Sequence, residues 1–189
     1  MTGRRRRQVE VRVPATAANL GPGFDCLGMA LEMWNRVRLE VGPPEVRILG
    51  EGAEVLSRGE ENLVFQAVRA VFEAAGEPFP SLTLTCRNEI PLSRGLGSSA
   101  AAVVGGLAAA NALLGSPLSA QELLRLAVSL EGHPDNVAPA LLGGCQVVVP
   151  DGERLVTALV PLPAGLTAGL FIPDTPLSTQ EARAVLPQQ

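Results

Sequence analysis

The chain contains no lysine and no tyrosine, and its basic residues, 15 in all, are arginines. The missing lysine rules out a Walker-type nucleotide loop, which needs that side chain directly after its last glycine. Cysteine is scarce: Cys26, Cys86 and Cys145 are odd in number, scattered, and form no Cys-x-x-Cys pair. Such a set suits free thiols in a reducing, cytoplasmic setting and argues against disulfides or a zinc site. Excess positive charge is also absent. A formal net charge of −4 argues against nucleic acid or an anionic membrane as partner. No apolar run is long enough to cross a bilayer, and none follows the N-terminus as in a signal peptide. The run of arginines at 4–7 is the local exception. It precedes any patterned segment, so residues 1–8 are expected to be a disordered, solvated basic tail.

What is present is apolar. Hydrophobic residues make up 47% of the 189 residues and charged ones 18%, enough to bury a sizeable core in one domain, or one domain and part of a second. Val9, Val11 and Val13 alternate with charged residues and predict a strand ended by Pro14. The stretch 15–28 is too rich in glycine for a regular element and carries Asn19 and Asp25. Alternation resumes at 34–41, a second strand able to pair antiparallel with the first, and Val46 and Ile48 hint at a third. Apolar residues at 64, 67, 68, 71, 72 and 75 have helical spacing, with Asn62 as N-cap. A strand at 82–86, a small-residue helix over 100–114, and a helix opened by the Ser119-x-x-Glu122 capping box follow. Glu131, His133, Asp135 and Asn136 then concentrate polar groups between apolar stretches. A hairpin of 145–149 with 155–160 around Asp151-Gly152, a strand at 166–172 and a capped helix from Ser178 complete the reading. A boundary is expected near 161–163, giving domains 9–161 and 162–189.

The chain is organised around Pro91-Leu92-Ser93-Arg94-Gly95-Leu96-Gly97-Ser98-Ser99-Ala100-Ala101. It lies where a strand gives way to a helix. There the first backbone N–H groups lack intrahelical partners and the helix dipole is positive, which makes a phosphate cradle. Gly95 and Gly97 let the backbone bend and approach a ligand. A dinucleotide fingerprint fits poorly, because no strand-ending acidic residue follows about 20 residues later.

The stretch resembles the Pro-x-x-x-Gly-Leu-Gly-Ser-Ser-Ala motif of the GHMP kinases. Segments 13–28, 91–106, 131–144 and 173–186 are most similar to the homoserine kinases among them. The resemblance implies an α+β, two-layer N-terminal domain of the ribosomal protein S5 domain 2 type, followed by the start of a ferredoxin-like C-terminal domain. It implies ATP-dependent phosphorylation of the side-chain hydroxyl of L-homoserine, with Mg2+ as cofactor, in threonine biosynthesis. Residues 91–101 would hold the phosphates and Asn62 would border the adenine. Ser98 and Glu131 would bind Mg2+. Asn19, Asp25, His133, Asp135, Thr179 and Arg183 would contact homoserine. Mevalonate kinase, the alternative within the superfamily, carries an aspartate base where this chain has Asn136. The resemblance therefore implies that Asn136 orients the hydroxyl and that the γ-phosphate accepts its proton; His133, a substrate contact in the family, is a second candidate base by the pKa range of its side-chain type. The family continues well past the Glu-Ala-Arg segment at 181–183, so a truncated C-terminal domain is expected. Its exposed strand edge and apolar face would favour association, a homodimer being the simple form. A catalytically silent nucleotide-binding fragment is the alternative from a different class.

Overall fold

The computed structural model describes residues 5–152, 154–175 and 184. Its elements run β1 (Gln8–Ala18), β2 (Leu27–Val41), β3 (Glu45–Gly50), α1 (Leu63–Ala74), β4 (Leu82–Asn88), α2 (Ser98–Leu113), α3 (Ala120–Glu131), α4 (Pro134–Leu142), β5 (Cys145–Asp151) and β6 (Arg154–Val160). The strands form one mixed sheet and the helices cover one of its faces, the α+β two-layer arrangement expected.

Strand β2 is the spine. Along one edge it pairs antiparallel with β1, from Gln8↔Glu40 to Ala18↔Gly28. Its other edge is shared: β4 lies opposite residues 36–41 and β5 opposite residues 27–29. β3 joins β4 in parallel, and β6 joins β5 as an antiparallel hairpin. Alternation sorts the two faces. Val9, Val13, Val37, Leu39, Leu84 and Cys86 point into the helical layer and are buried. Glu10, Arg12, Arg36 and Arg87 are exposed on the other face, with Arg38 half-buried beside them. The thiol of Cys86 is pushed up to about 12 by burial, so it is an inert core group.

Helix α2 has no polar side. Ala100, Ala101, Val103, Val104, Leu107, Ala109, Ala110 and Leu113 are all buried, and so are Gly105 and Gly106. A helix apolar all round must be covered all round, and α2 packs on α1, α3, α4 and the sheet. Its glycines set those distances. A Cβ at Gly106 would lie 2.6 Å from the Val64 carbonyl oxygen and 2.7 Å from Ala67 Cβ, and one at Gly105 would lie 2.7 Å from Val37 Cγ2.

Pro14 does not end the first strand, which runs on to Ala18 with a register shift between Pro14 and Ala15. β1 pairs only with β2 among the described strands, and an edge strand with a bulge tolerates a residue that has no N–H. Residues 166–172, expected as a strand, are not one: no ladder partner reaches them among the described residues, and Leu166 and Phe171 are exposed. The described part of the basic tail is anchored rather than loose. Arg5 pairs with Glu77, the Arg6 N–H donates to Leu113 O, the Arg7 carbonyl accepts from Val41 N, and Gln8 is already in β1. The capped helix expected from Ser178, with Thr179 and Arg183, lies outside the described residues. Among those residues no helix is long and apolar enough to cross a membrane.

Close packing at Gly106 gives a direct test. Gly106→Ala gains about 1 kcal/mol of helix propensity, but forces a methyl against the α1 backbone, where overpacking costs about 1–3 kcal/mol. A net loss of stability is expected in urea unfolding, with the slope unchanged.

Candidate active site

The loop from β4 to α2 is held from below. Asn35, a buried amide on the inward face of β2, accepts hydrogen bonds from Glu89 N (2.8 Å) and Ile90 N (3.0 Å). The loop then alternates in handedness: Ser93, Gly95 and Gly97 have φ of 55°, 68° and 64°, and the residues between them do not share the positive sign. Such alternation turns successive N–H groups toward one side, the geometry of an anion nest. Gly97 is also the N-cap of α2 and supplies no capping side chain. The N–H groups of Ser98, Ser99 and Ala100 therefore stay available beyond the helix end.

Two distant segments close on this loop. The Leu96 carbonyl accepts from Thr16 N at 3.1 Å, which fixes β1 against it. A Cβ at residue 97 would overlap Thr16 Oγ1 and stand 3.1 Å from Asn136 Oδ1. Thr16 Oγ1 donates to Asn136 Oδ1 at 2.8 Å. The other end of the Asn136 amide, Nδ2, lies 3.4 Å from Asp135 Oδ1, which also accepts from Asn136 N at 3.0 Å. The amide is thus held at both ends, with one Nδ2–H to spare. Asp135 is 1% exposed, and its Oδ2 is buried with no hydrogen-bond partner. Its backbone is pressed on β2, because a Cβ at Gly28 would overlap the Asp135 carbonyl.

The segment that concentrates the polar groups is itself mostly helix. Gly132, at φ 86°, ends α3, His133 is the N-cap residue of α4, and Pro134 begins that helix. The turn puts Glu131 and Asn136 at the start of α2, with Asp135 beside Asn136. Glu131 Oε2 accepts from Ser99 Oγ at 2.6 Å, so its partner in the first turn of α2 is Ser99, the neighbour of Ser98. Burial raises the Glu131 pKa; the Ser99 hydroxyl and His133 partly offset this, and Asp135 adds to it. Among the described residues no group of three or more His, Cys, Asp or Glu forms a metal cage.

Beside the loop is a cavity of about 260 Å3. Its walls are mainly apolar, with Ile48, Leu56, Leu63, Val64, Leu92 and Ala102, and its polar lining includes Glu61, Asn62, Ser93, Ser98 and Ser99. Asn62 caps α1, accepting from Val64 N and Phe65 N, and its Nδ2 donates to Ser57 O. Its side chain is therefore committed to local structure while it lines the cavity. Asn19 and Asp25 both have positive φ, near 58° and 59°, and Asn19 Oδ1 accepts from Asp25 N at 2.9 Å. They lie in the loop joining β1 to β2, three and nine residues past Thr16.

Residues 62–144 match the family described as GHMP kinases N terminal domain. The chain carries a GHMP kinase N-terminal domain. It is similar to homoserine kinases: that of Moorella thermoacetica is 52% identical over 178 residues, and that of Carboxydothermus hydrogenoformans is 51% identical over 181. These alignments take in 94% and 95% of this chain but 60% and 59% of the relatives, so the chain spans about 60% of their length. A crystal structure of homoserine kinase from Cytophaga hutchinsonii superposes with a TM-score of 0.83 at 32% identity, over 97% of this chain and 61% of that one.

Within this GHMP kinase domain, the residues singled out from sequence fall into groups. The loop 91–101, Glu131 and Asn136 meet directly, and Asn62 shares the cavity wall with Ser98 and Ser99. Thr179 and Arg183 lie outside the described residues. Sequence reading passed over Thr16 and Asn35. Asn35 had a signal, as an amide at an inward position between Leu31 and Val37 on β2. Thr16 had none, since its partner is 120 residues away.

The raised Glu131 pKa sets a pH dependence. A carboxyl that is harder to ionise folded than unfolded stabilises the fold below its unfolded pKa, and this contribution is lost as pH rises through the folded value. Between the ordinary value of 4.5 and neutrality, wild type should lose thermal stability relative to Glu131→Gln. Melting temperatures of both proteins across that range, without nucleotide, check the sign.

Proposed function

We propose that this protein transfers the γ-phosphoryl group of ATP to the side-chain hydroxyl of L-homoserine, giving O-phospho-L-homoserine and ADP. The observation that carries this reading is the Thr16–Asn136 hydrogen bond seated against Gly97. It joins an oriented amide donor to a phosphate cradle, and phosphoryl transfer is mainly a matter of positioning and charge stabilisation.

In this reading the N–H groups at the start of α2 hold the phosphates, and the adjoining apolar cavity takes the base, bordered by Asn62. The spare Nδ2–H of Asn136 donates to the homoserine hydroxyl oxygen. That oxygen bonds to the γ-phosphorus as the bond to the β–γ bridging oxygen breaks, and the hydroxyl proton passes to a γ-phosphate oxygen. Asn136 is an amide and accepts no proton, so it orients and does not act as base. The buried, unpartnered Oδ2 of Asp135 suits the substrate ammonium, because an orphan buried carboxylate oxygen calls for a cation. Asp25, Asn19 and His133 complete that side, and Arg183 with Thr179 would take the substrate carboxylate.

The donor set fits Mg2+. Glu131 and the hydroxyls of Ser98 and Ser99 are hard oxygen ligands at the cradle, and this ion prefers few protein oxygens alongside phosphate oxygens. Bound by Glu131 and Ser98, it would neutralise charge on the β- and γ-phosphates.

ADP release measured with L-homoserine, and with mevalonate in parallel, tests the assignment. Turnover on homoserine alone is expected. Turnover on mevalonate alone would make the protein another GHMP kinase, and ATP binding without turnover on either would make it a silent nucleotide-binding chain. Thr16→Val removes the hydroxyl that fixes Asn136 with little change in volume. It should lower kcat about ten- to a hundredfold, the scale of a small misplacement of a reacting group, while ATP still binds.

A further inference from the structure

Arg94 sits in the middle of the phosphate loop, where an arginine would be expected to reach for phosphate. Its donors point elsewhere. Nη1 donates to the carbonyls of Leu92 (3.2 Å) and Ser93 (3.3 Å), and Nη2 donates to the carbonyl of Asp174 at 2.6 Å. Asp174 lies in a stretch with no regular structure over the described residues 161–175, whose other attachments are apolar. Leu162, Leu166 and Leu170 line a cavity with Met29, Leu31 and Met33, and Ile172 packs on the core. Among the described residues, Arg94 provides the hydrogen bond that fastens this stretch to the rest of the chain.

From these contacts we infer that Arg94 is a positioning residue: its guanidinium straps residues 172–175 to the phosphate loop, so that filling the nucleotide site orders the segment that leads to the amino-acid site. The chemistry suits arginine specifically. A planar fork can bridge carbonyls of two segments at once, whereas an ammonium is a point charge that serves a phosphate as well or better. The loop turn being bridged is the left-handed one at Ser93, so the strap grips the part of the cradle whose conformation nucleotide would fix. The consequence for homoserine rests on the proposed function, because Thr179 and Arg183 follow Asp174 within nine residues.

Amide hydrogen exchange on the whole chain separates the possibilities, with Arg94→Ala and Arg94→Lys beside wild type, each with and without ATP and Mg2+. In wild type, ATP should slow exchange of peptides covering 166–175 severalfold. In both variants that protection should be lost, while ATP still binds, with any loss of affinity the same in Arg94→Ala and Arg94→Lys because no phosphate ligand is removed. In turnover assays the variants should raise KM for homoserine about tenfold, the scale of a lost charge-assisted hydrogen bond, with less effect on KM for ATP. Two results would overturn the strap: protection of 166–175 that persists in Arg94→Ala, or a loss of ATP affinity in Arg94→Ala that Arg94→Lys restores, which would mark Arg94 as a phosphate ligand. If wild type fails to phosphorylate homoserine, the proposed function falls, but the exchange comparison still decides the strap.

Discussion

Beyond its first turn helix α2 has no exposed residue, and the rest of the domain is arranged around that fact. Its residues are small and apolar on every side, so α1, α3, α4 and the sheet must all close on it. Burial on this scale fixes a helix in position and rotation far better than one amphipathic stripe would, because protein interiors are close-packed and tolerate little sliding. Gly106 brings α1 to near backbone contact, and Gly105 lets the Val37 side chain of the sheet pack against the helix. What this rigidity secures is the N-terminus. The free N–H groups at Ser98, Ser99 and Ala100 stand at a defined place, and a preorganised set of donors is what an anion site needs.

The second constraint is the missing side chain at Gly97. Thr16 Oγ1 occupies the space a Cβ would fill, and Asn136 Oδ1 stands next to it. Three segments far apart in sequence thereby meet within hydrogen-bonding distance at the mouth of the cradle: the bulged end of β1, the loop, and the first turn of α4. The bulge after Pro14 contributes. By shifting the register it re-aims the last residues of β1, and Thr16 then faces the helical layer, fully buried.

Local chemistry made much of this legible in the sequence. Asn62 as an N-cap, the Ser119–Glu122 capping box and the glycine-hinged loop depend on neighbours within a few residues, and each forms as read. The errors came where a local rule meets a distant partner. Proline ends a central strand, but β1 has an outer edge that needs no donor. Alternation at 166–172 looks like a strand, yet a strand exists only if another lies beside it, and none does among the described residues. The polar run at 131–136 gave no periodicity because two short helical turns meet there, the end of α3 and the start of α4. The pairing of Thr16 with Asn136 is a property of the fold alone, and no spacing rule reaches across 120 residues.

The amide at 136 also fits its electrostatic surroundings. Asp135 is buried beside it, and Glu131, already disfavoured as an anion by burial and by Asp135, stands on the same side of the α2 N-terminus. A third carboxylate at 136 would stand against two others in a poorly solvated site, where like charges drive one another toward the protonated form. It would also lie close to Thr16 and to the phosphates of the proposed nucleotide. An asparagine avoids this. Its oxygen is held by the Thr16 hydroxyl and its nitrogen by Asp135, so it offers a directed N–H and adds no charge. In the proposed reaction each negative group then has its own counterpart. Asp135 faces an ammonium, Glu131 faces a divalent cation, and the phosphate itself receives the departing proton. A neutral residue at 136 keeps a third negative charge away from the polyphosphate of the proposed nucleotide.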